Sequence, residues 1–430
     1  MEDLGTRMRP PGRVAVIGGG WAGMAAATTL AANDVPVQVF ESAGTLGGRA
    51  RSVELSHGIV DNGQHILLGA YRETLAMIDM VNREAAAQLR RLPLSLAVVP
   101  GFRLRTPPLP APWHLLAGLL TASGLSVGDR ARALRILAGL RRSGFRLTQD
   151  RSVATLLRDY GQSAQLTNFL WQPLCLAALN TPPEEASAQV FLNVLRDSFS
   201  YSRADSDLIL PCADLSELFP KPAASFVEER HGAVAPGSKV TSLRREGNEW
   251  SVIARDEPHR FSHVICAAPP TAAARLLDTL PGMEQAVAKI RALRYQPIYT
   301  IYLQYPENAR LSGPMLGLVG GLAQWAFDRG QLGGPPGLMA VVISAGGAHE
   351  SLDHDALAKQ VAAELGGALQ LPERPLWHQV IAEKRATFSC TPGLQRPGVG
   401  TGLPGLFLAG DYVDSDYPAT IEGAVRSGVK

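Results

Sequence analysis

"RVAVIGGGWAGMAAATTLAANDVPVQVFES", residues 13–42, reads as strand, glycine turn, helix and second strand. The apolar run Val14 to Ile17 is the first strand, and Gly18, Gly20 and Gly23 follow it in G-x-G-x-x-G spacing. In that pattern Gly18 makes the tight turn, Gly20 lets the backbone approach a pyrophosphate, and Gly23 lets the helix sit against the strand. Small residues Ala25, Ala26 and Ala27 keep the helix close to the sheet, while its N-terminus carries partial positive charge. The second strand, Val37 to Phe40, ends in Glu41, which lies 23 positions after Gly18. That is near the ~20 expected for a carboxylate that binds a ribose hydroxyl, and an acid there disfavours a 2′-phosphate. The unit predicted is a dinucleotide-binding element of an α/β protein.

Which dinucleotide is read a few residues on. "GTLGGRARS", residues 44–52, resembles the G-G-R-x-x-S signature of the FAD-dependent amine oxidase and phytoene desaturase superfamily. The resemblance implies FAD, with Gly47 and Gly48 along the pyrophosphate and flavin chain and Arg49 as a charge partner. A second match lies at the far end, in "GLFLAGDYVDSDYPATIEGAVRSG", residues 405–428. There the resemblance implies that Gly410 and Asp411 meet the ribityl or phosphate region. A closing helix from about Ala419 and Thr420 would point its N-terminus at the flavin, where the dipole stabilises negative charge on the reduced ring.

The chain has 430 residues, more than one core usually supports, so two intertwined domains are expected. A formal net charge of +2 gives no reason to invoke nucleic acid. Cys175, Cys212, Cys266 and Cys390 are scattered without a C-x-x-C pair, which argues against a disulfide framework and a zinc site and fits a reducing cytoplasm. Met1 to Gly12 has no apolar h-region and reads as a disordered tail. From Trp113 about 16 helix-compatible residues follow four crowded prolines, short of the ~18 to 20 that span a bilayer.

The fold expected is a Rossmann-like FAD-binding domain of the glutathione-reductase type carrying an inserted α+β substrate domain. The FAD domain is discontinuous, over 12–100, 205–270 and 400–430; residues 101–204 and 271–399 build the substrate domain. Alternating strands at Lys239 to Leu243, Trp250 to Ala254 and Ser262 to Ala267 complete the FAD domain, with Val240 near the adenine. The absence of proline between Trp113 and Gln172 suits long helices, and a helix over Asp355 to Leu365 is stopped by Gly366 and Gly367. Residues 129–146 carry six arginines and one acid on an imperfectly amphipathic helix. Two readings stand for it: docking on an anionic membrane surface, on the inner face of the cytoplasmic membrane, or an ordinary helix with solvated arginines.

Three further stretches, "DNGQHILLGAYRETL", "FLWQPLCLAALNTPPEEASAQVFLNVLRD" and "DLILPCADLSELFPKPAASF", resemble the squalene-associated FAD-dependent desaturases, understood as hydroxysqualene dehydroxylases of bacterial squalene and hopanoid synthesis. The likeness runs from Val14 to Gly428 and implies reduction of hydroxysqualene to squalene, an apolar triterpene or isoprenoid substrate, and an unidentified electron donor. Such chemistry asks the protein for an apolar tunnel, a proton donor and exclusion of water. The alternatives are a polyene desaturase running oxidatively, an amine oxidase, for which no aromatic cage is evident, and a prenyl-lipid binding protein without flavin chemistry. Intact Gly20, Glu41, Arg49 and Asp411 disfavour the last.

"GIVDNGQHILLGAY", residues 58–71, packs Asp61, Asn62, Gln64 and His65 together. One His and one Asp do not make a metal site, so no metal is expected. Four residues apart on a strand, Asp61 and His65 would share the face that meets the flavin, with Gly63 leaving room for a flat ring. They are the candidate catalytic residues, ahead of Asp414, Asp416 and Tyr417; Asp414 also fits a solvated turn.

Overall fold

The structure, a computed structural model, describes residues 12–430; the leader expected to be disordered lies outside them except for Gly12. Val14–Ile17 is buried at every residue because both faces of its sheet are covered. The Trp21–Ala32 helix starts directly after the glycine turn and buries Met24, Ala25, Ala26 and Ala27. All five strands of this sheet are parallel, in the order Ala233–Ala235, Val37–Phe40, Val14–Ile17, His263–Cys266 and Leu406–Leu408. Segments from three distant parts of the chain therefore build one nucleotide-binding layer, and the closing helix, Ile421–Val429, packs on Trp21–Ala32. The turn itself requires glycine: Gly18 sits at φ +114°, and a Cβ on Gly23 would lie 1.9 Å from the Gly18 carbonyl oxygen.

The second layer is a seven-stranded sheet in the order Trp377–Phe388, Tyr295–Gln304, Leu338–Ser344, Trp325–Asp328, Met315–Leu318, Ser95–Val99 and Phe102–Arg105. Only the Met315–Leu318 and Ser95–Val99 pair is parallel. Helices at Trp113–Thr121, Val127–Arg142, Gln172–Leu179 and Ala188–Phe199 cover it on the cavity side. The expected boundary at residue 100 thus falls inside the hairpin of the last two strands.

Other expectations also shift. The third alternating strand is Glu257–Phe261, closing an antiparallel meander with Val240–Glu246 and Glu249–Ala254, while His263–Cys266 turns into the parallel sheet. The stretch 113–172 holds one long helix, Val127–Arg142, as expected, but is otherwise cut into short ones. Gly144 and Gly161 adopt positive φ at helix ends, and Ser126, Ser152 and Ser163 each accept a backbone N–H to start the next helix. Absence of proline says nothing about such glycine stops. Conversely, the 354–369 helix, His354–Leu369, runs through Gly366 and Gly367, held by buried Leu357, Val361, Ala362 and Leu365, and ends at left-handed Gln370. Burial on that face outweighs the roughly 1 kcal/mol cost of each interior glycine.

No described helix is long and apolar enough to cross a membrane.

Candidate cofactor and substrate site

A cavity of about 870 Å³ runs between the two layers. One end is lined by Gly18, Gly20, Glu41, Gly47, Gly48, Arg49, Val240, Gly410, Asp411, Ala419 and Thr420, so these predicted cofactor residues from four separate stretches meet at one place. Gly23 stands behind this wall, where it lets helix and strand touch. Gly20 and Gly48 face each other with 3.8 Å between the Gly48 Cα and a Cβ built on Gly20, leaving a cradle of bare backbone. Glu41 is oriented by the Gly19 and Ala43 amides, each donating at 2.7 Å.

Arg49 donates to Asp411 and to the Ala386 carbonyl, joining the Gly47–Gly48 loop, the last strand's end and the long strand Trp377–Phe388. Asn62 explains part of the polar cluster in 58–71. Its Nδ2 donates to the Arg49 carbonyl at 2.8 Å and its Oδ1 accepts from the Arg51 amide at 3.0 Å, stapling the glycine–arginine loop. Thr420 caps the Ile421–Val429 helix by accepting from the Gly423 amide, so that helix aims its N-terminus into the cavity.

These residues fit FAD. They form a glycine cradle for a pyrophosphate, an acid at the ribose distance and a helix N-terminus beyond it. Tyr412 lines the same cavity, is 1 % exposed, and its hydroxyl is the one buried orphan among the described cavity-lining side chains.

Asp61 corrects the sequence reading. The strand ends at Asp61, so the alternation that was to place Asp61 and His65 on one face stops there. Asp61 turns away from the cavity and accepts the Leu215 amide at 2.8 Å, tying the hairpin to the Leu215–Leu218 helix; burial pushes its carboxyl up to about 6. It is a structural acid. His65 does line the cavity, together with Gly63. Its Nδ1 donates to the Gly63 carbonyl at 2.8 Å, and burial lowers its pKa, so the ring is held neutral with Nε2 as the unprotonated nitrogen.

Beyond the cofactor end the wall turns apolar: Leu94, Leu96, Leu174, Phe191, Leu195 and Phe327 line it, with Ile66 and Leu68 leading in. Among the polar groups that interrupt it, two are paired across the chain. The Tyr417 hydroxyl donates to Asp197 Oδ2 at 2.7 Å and Arg196 Nε donates to Oδ1 at 2.8 Å; Asp197 and Tyr417 both face the cavity. Burial, then the hydrogen bond to Asp197 and its charge, pushes the Tyr417 phenol up. Arg396 donates to the carbonyls of Asp411 and Tyr417 and fixes the intervening turn, whose Asp414 and Asp416 are exposed. Asp197 carries no sequence signal: in "VLRDSF" it looks like any acid on a helix. Among the described residues no group of three His, Cys, Asp or Glu side chains converges as a metal site.

The sequence profile described as flavin containing amine oxidoreductase matches residues 21–430. Hydroxysqualene dehydroxylases of Sinorhizobium fredii and Rhodopseudomonas palustris are each 29% identical to the chain, over 97% and 96% of it and the same shares of those proteins. A zeta-carotene desaturase of Synechocystis is 24% identical over 97% of the chain and 95% of that protein. Among solved structures, cyclohexylamine oxidase of Brevibacterium oxydans superposes with a TM-score of 0.70 at 18% identity, covering 98% of this chain and 97% of that one.

Proposed function

Since the chain belongs to the flavin containing amine oxidoreductases and is an FAD-dependent oxidoreductase, we propose that it reduces hydroxysqualene to squalene in squalene and hopanoid synthesis. The observation that carries the reading is one cavity whose cofactor end opens directly onto a largely apolar wall that also holds the Asp197–Tyr417 pair. Relatives named hydroxysqualene dehydroxylase, matched over nearly the whole chain, support it.

The reaction replaces a carbon–oxygen bond by a carbon–hydrogen bond: the hydroxyl leaves as water with one added proton, and two electrons arrive as hydride. Reduced FAD, when bound, supplies that hydride. The protein's own groups do the rest. The Tyr417 hydroxyl holds the substrate hydroxyl and is placed to pass it a proton, while Asp197, which accepts from Tyr417 and Arg196, orients that phenol. The Asp197 charge also favours the positive carbon left behind. His65, held neutral by burial, is a poor proton donor and stands as wall. The electron donor, of unidentified nature, reduces the cofactor between turnovers.

The oxidative alternative, desaturation of a polyene, is favoured by one feature: the unprotonated His65 Nε2 can accept a proton. A single assay separates the two. Dithionite-reduced, FAD-loaded protein is expected to turn hydroxysqualene into squalene, and oxidised protein to leave it unchanged. Reduced protein that leaves hydroxysqualene untouched, with oxidised protein that dehydrogenates a polyene, would establish the desaturase instead.

A further inference from the structure

We propose that the surface formed by the Trp113–Thr121 helix and its two flanks docks on an anionic lipid bilayer. The helix turns His114, Leu115, Gly118 and Leu119 inward, whereas Trp113 and Leu120, seven residues apart and so on one side, are 61 % and 52 % exposed. Leu109 in the preceding proline segment and Val127 at the start of the next helix are exposed as well. Four of the nine exposed large apolar side chains among the described residues thus fall within one short stretch of chain. Tertiary contacts hold that stretch together. Arg130 Nη2 donates to the Ala122 carbonyl, Arg103 and Ser123 form a backbone bridge, and Phe102–Arg105 packs against the exposed helix. A patch of this kind marks an interaction surface, and tryptophan beside aliphatic groups suits the bilayer interface.

Charge selects the partner. Residues 101–149 hold eight arginines and one acid, against a formal net charge of +2 for the whole chain, so the rest of the molecule is net negative. Arg103 and Arg105 alternate outward on the strand beside the apolar helix, and Arg135 lies on the solvent face of the next. All three are exposed and make no side-chain hydrogen bond or ion pair with any described residue. Cations without partners around an apolar face match a layer of anionic headgroups over hydrocarbon. They oppose a second copy of the same face, which would bring like charges together.

The inner side of this surface is the cavity wall. His114 Nε2 lies 3.2 Å from the Ser206 hydroxyl, and Thr106 Oγ1 donates to the Leu94 carbonyl at 3.0 Å; Ser206 and Leu94 both line the cavity. One layer of side chains separates this surface from the substrate space, so a docked bilayer lies against the cavity wall. A substrate drawn from that bilayer rests on the apolar-substrate reading above; docking does not.

The test uses the FAD-loaded full chain sedimented with vesicles of phosphatidylcholine alone or phosphatidylcholine mixed with phosphatidylglycerol. Binding is expected to the mixed vesicles and to fade as salt is raised. Arg103→Ser and Arg105→Ser should each weaken it about fivefold. A Trp113→Ser, Leu120→Ser double variant should weaken it about tenfold or more, with flavin content and thermal midpoint unchanged. The proposal falls if the protein stays in the supernatant with both vesicle types or if the variants bind like the parent. It also falls if the patch instead holds a concentration-dependent dimer that the double variant dissociates. Vesicle binding without hydroxysqualene turnover would leave docking standing and remove only the reaction assigned above.

Discussion

Arg49 donates to a carboxylate oxygen of Asp411 although 362 positions separate them in the chain. Asp411 is 6 % exposed, and the same guanidinium holds the Ala386 carbonyl at 2.8 Å. One side chain therefore closes the cofactor end of the cavity from three directions. Asp411→Ala leaves Arg49 without its carboxylate and loosens the loop that carries Gly47 and Gly48. The expected outcome is FAD binding weakened by about 10- to 100-fold, or ~1.4 to 3 kcal/mol, with Asp411→Asn between the two. Titration of apoprotein with FAD measures it, and unchanged affinity in Asp411→Ala would remove Arg49–Asp411 from the cofactor site.

Two glycines of the first turn separate folding from binding. A Cβ on Gly23 meets the Gly18 carbonyl oxygen at 1.9 Å, so Gly23→Ala must lift the Trp21–Ala32 helix off its strand. A Cβ on Gly20 finds nothing closer than the Gly48 Cα at 3.8 Å and projects toward the cavity. Gly23→Ala is expected to destabilise the apoprotein by about 3 kcal/mol or more. Gly20→Ala should leave the apoprotein's thermal midpoint in place and lower FAD affinity. Equal midpoints for the two variants would contradict this division.

The same contrast shows what a sequence can disclose. Gly18, Gly20, Gly23 and Glu41 are legible because a turn against a pyrophosphate leaves few choices of residue type and spacing. Strand Val14–Ile17 is legible because burial on both faces demands an unbroken apolar run. Asp197 is not, because its role comes from Tyr417, 220 positions away, and nothing in its own neighbourhood records that meeting. Asp61 misleads for a related reason: period-two alternation locates a face only while the strand lasts, and the strand ends at that residue. The hairpin that crosses residue 100 joins the substrate sheet through a pairing with Met315–Leu318, a long-range choice that composition does not mark.

Tyr417 and Asp197 should matter more to turnover than His65. Asp197→Asn keeps the volume and a hydrogen-bond acceptor but removes the charge that favours the positive carbon; Tyr417→Phe removes the hydroxyl that passes the proton. Each is expected to slow oxidation of the reduced flavin by hydroxysqualene about 10²- to 10³-fold in single-turnover mixing, with flavin content retained. His65→Ala should change the same rate by less than about tenfold, since a neutral ring gives up no proton. The reverse ranking would return the catalytic role to His65 and favour proton removal from a polyene.

The buried carboxyl of Asp61 makes a prediction about stability and pH. Burial raises it from the usual carboxylate range to about 6 in the folded protein, against the Leu215 amide and Arg329, which both act to lower it. Between those two values the folded chain holds a proton that the unfolded chain has released, so stability falls as pH rises from about 4 to about 6 and is flat in this group beyond. Asp61→Asn cannot ionise, yet its side-chain oxygen still accepts from Leu215, so the variant escapes that fall. Above pH 6 it should be more stable than the parent by on the order of 1 to 3 kcal/mol, with the gap closing toward pH 4. Asp61→Ala also avoids the buried charge but leaves the Leu215 amide without an acceptor, at a cost of about 1 to 3 kcal/mol. It should therefore gain little or lose. Denaturant unfolding of the three proteins at pH 4.5 and pH 7.5 reads this directly. A gap between Asp61→Asn and the parent that is the same at both pH values would mean that Asp61 titrates alike folded and unfolded.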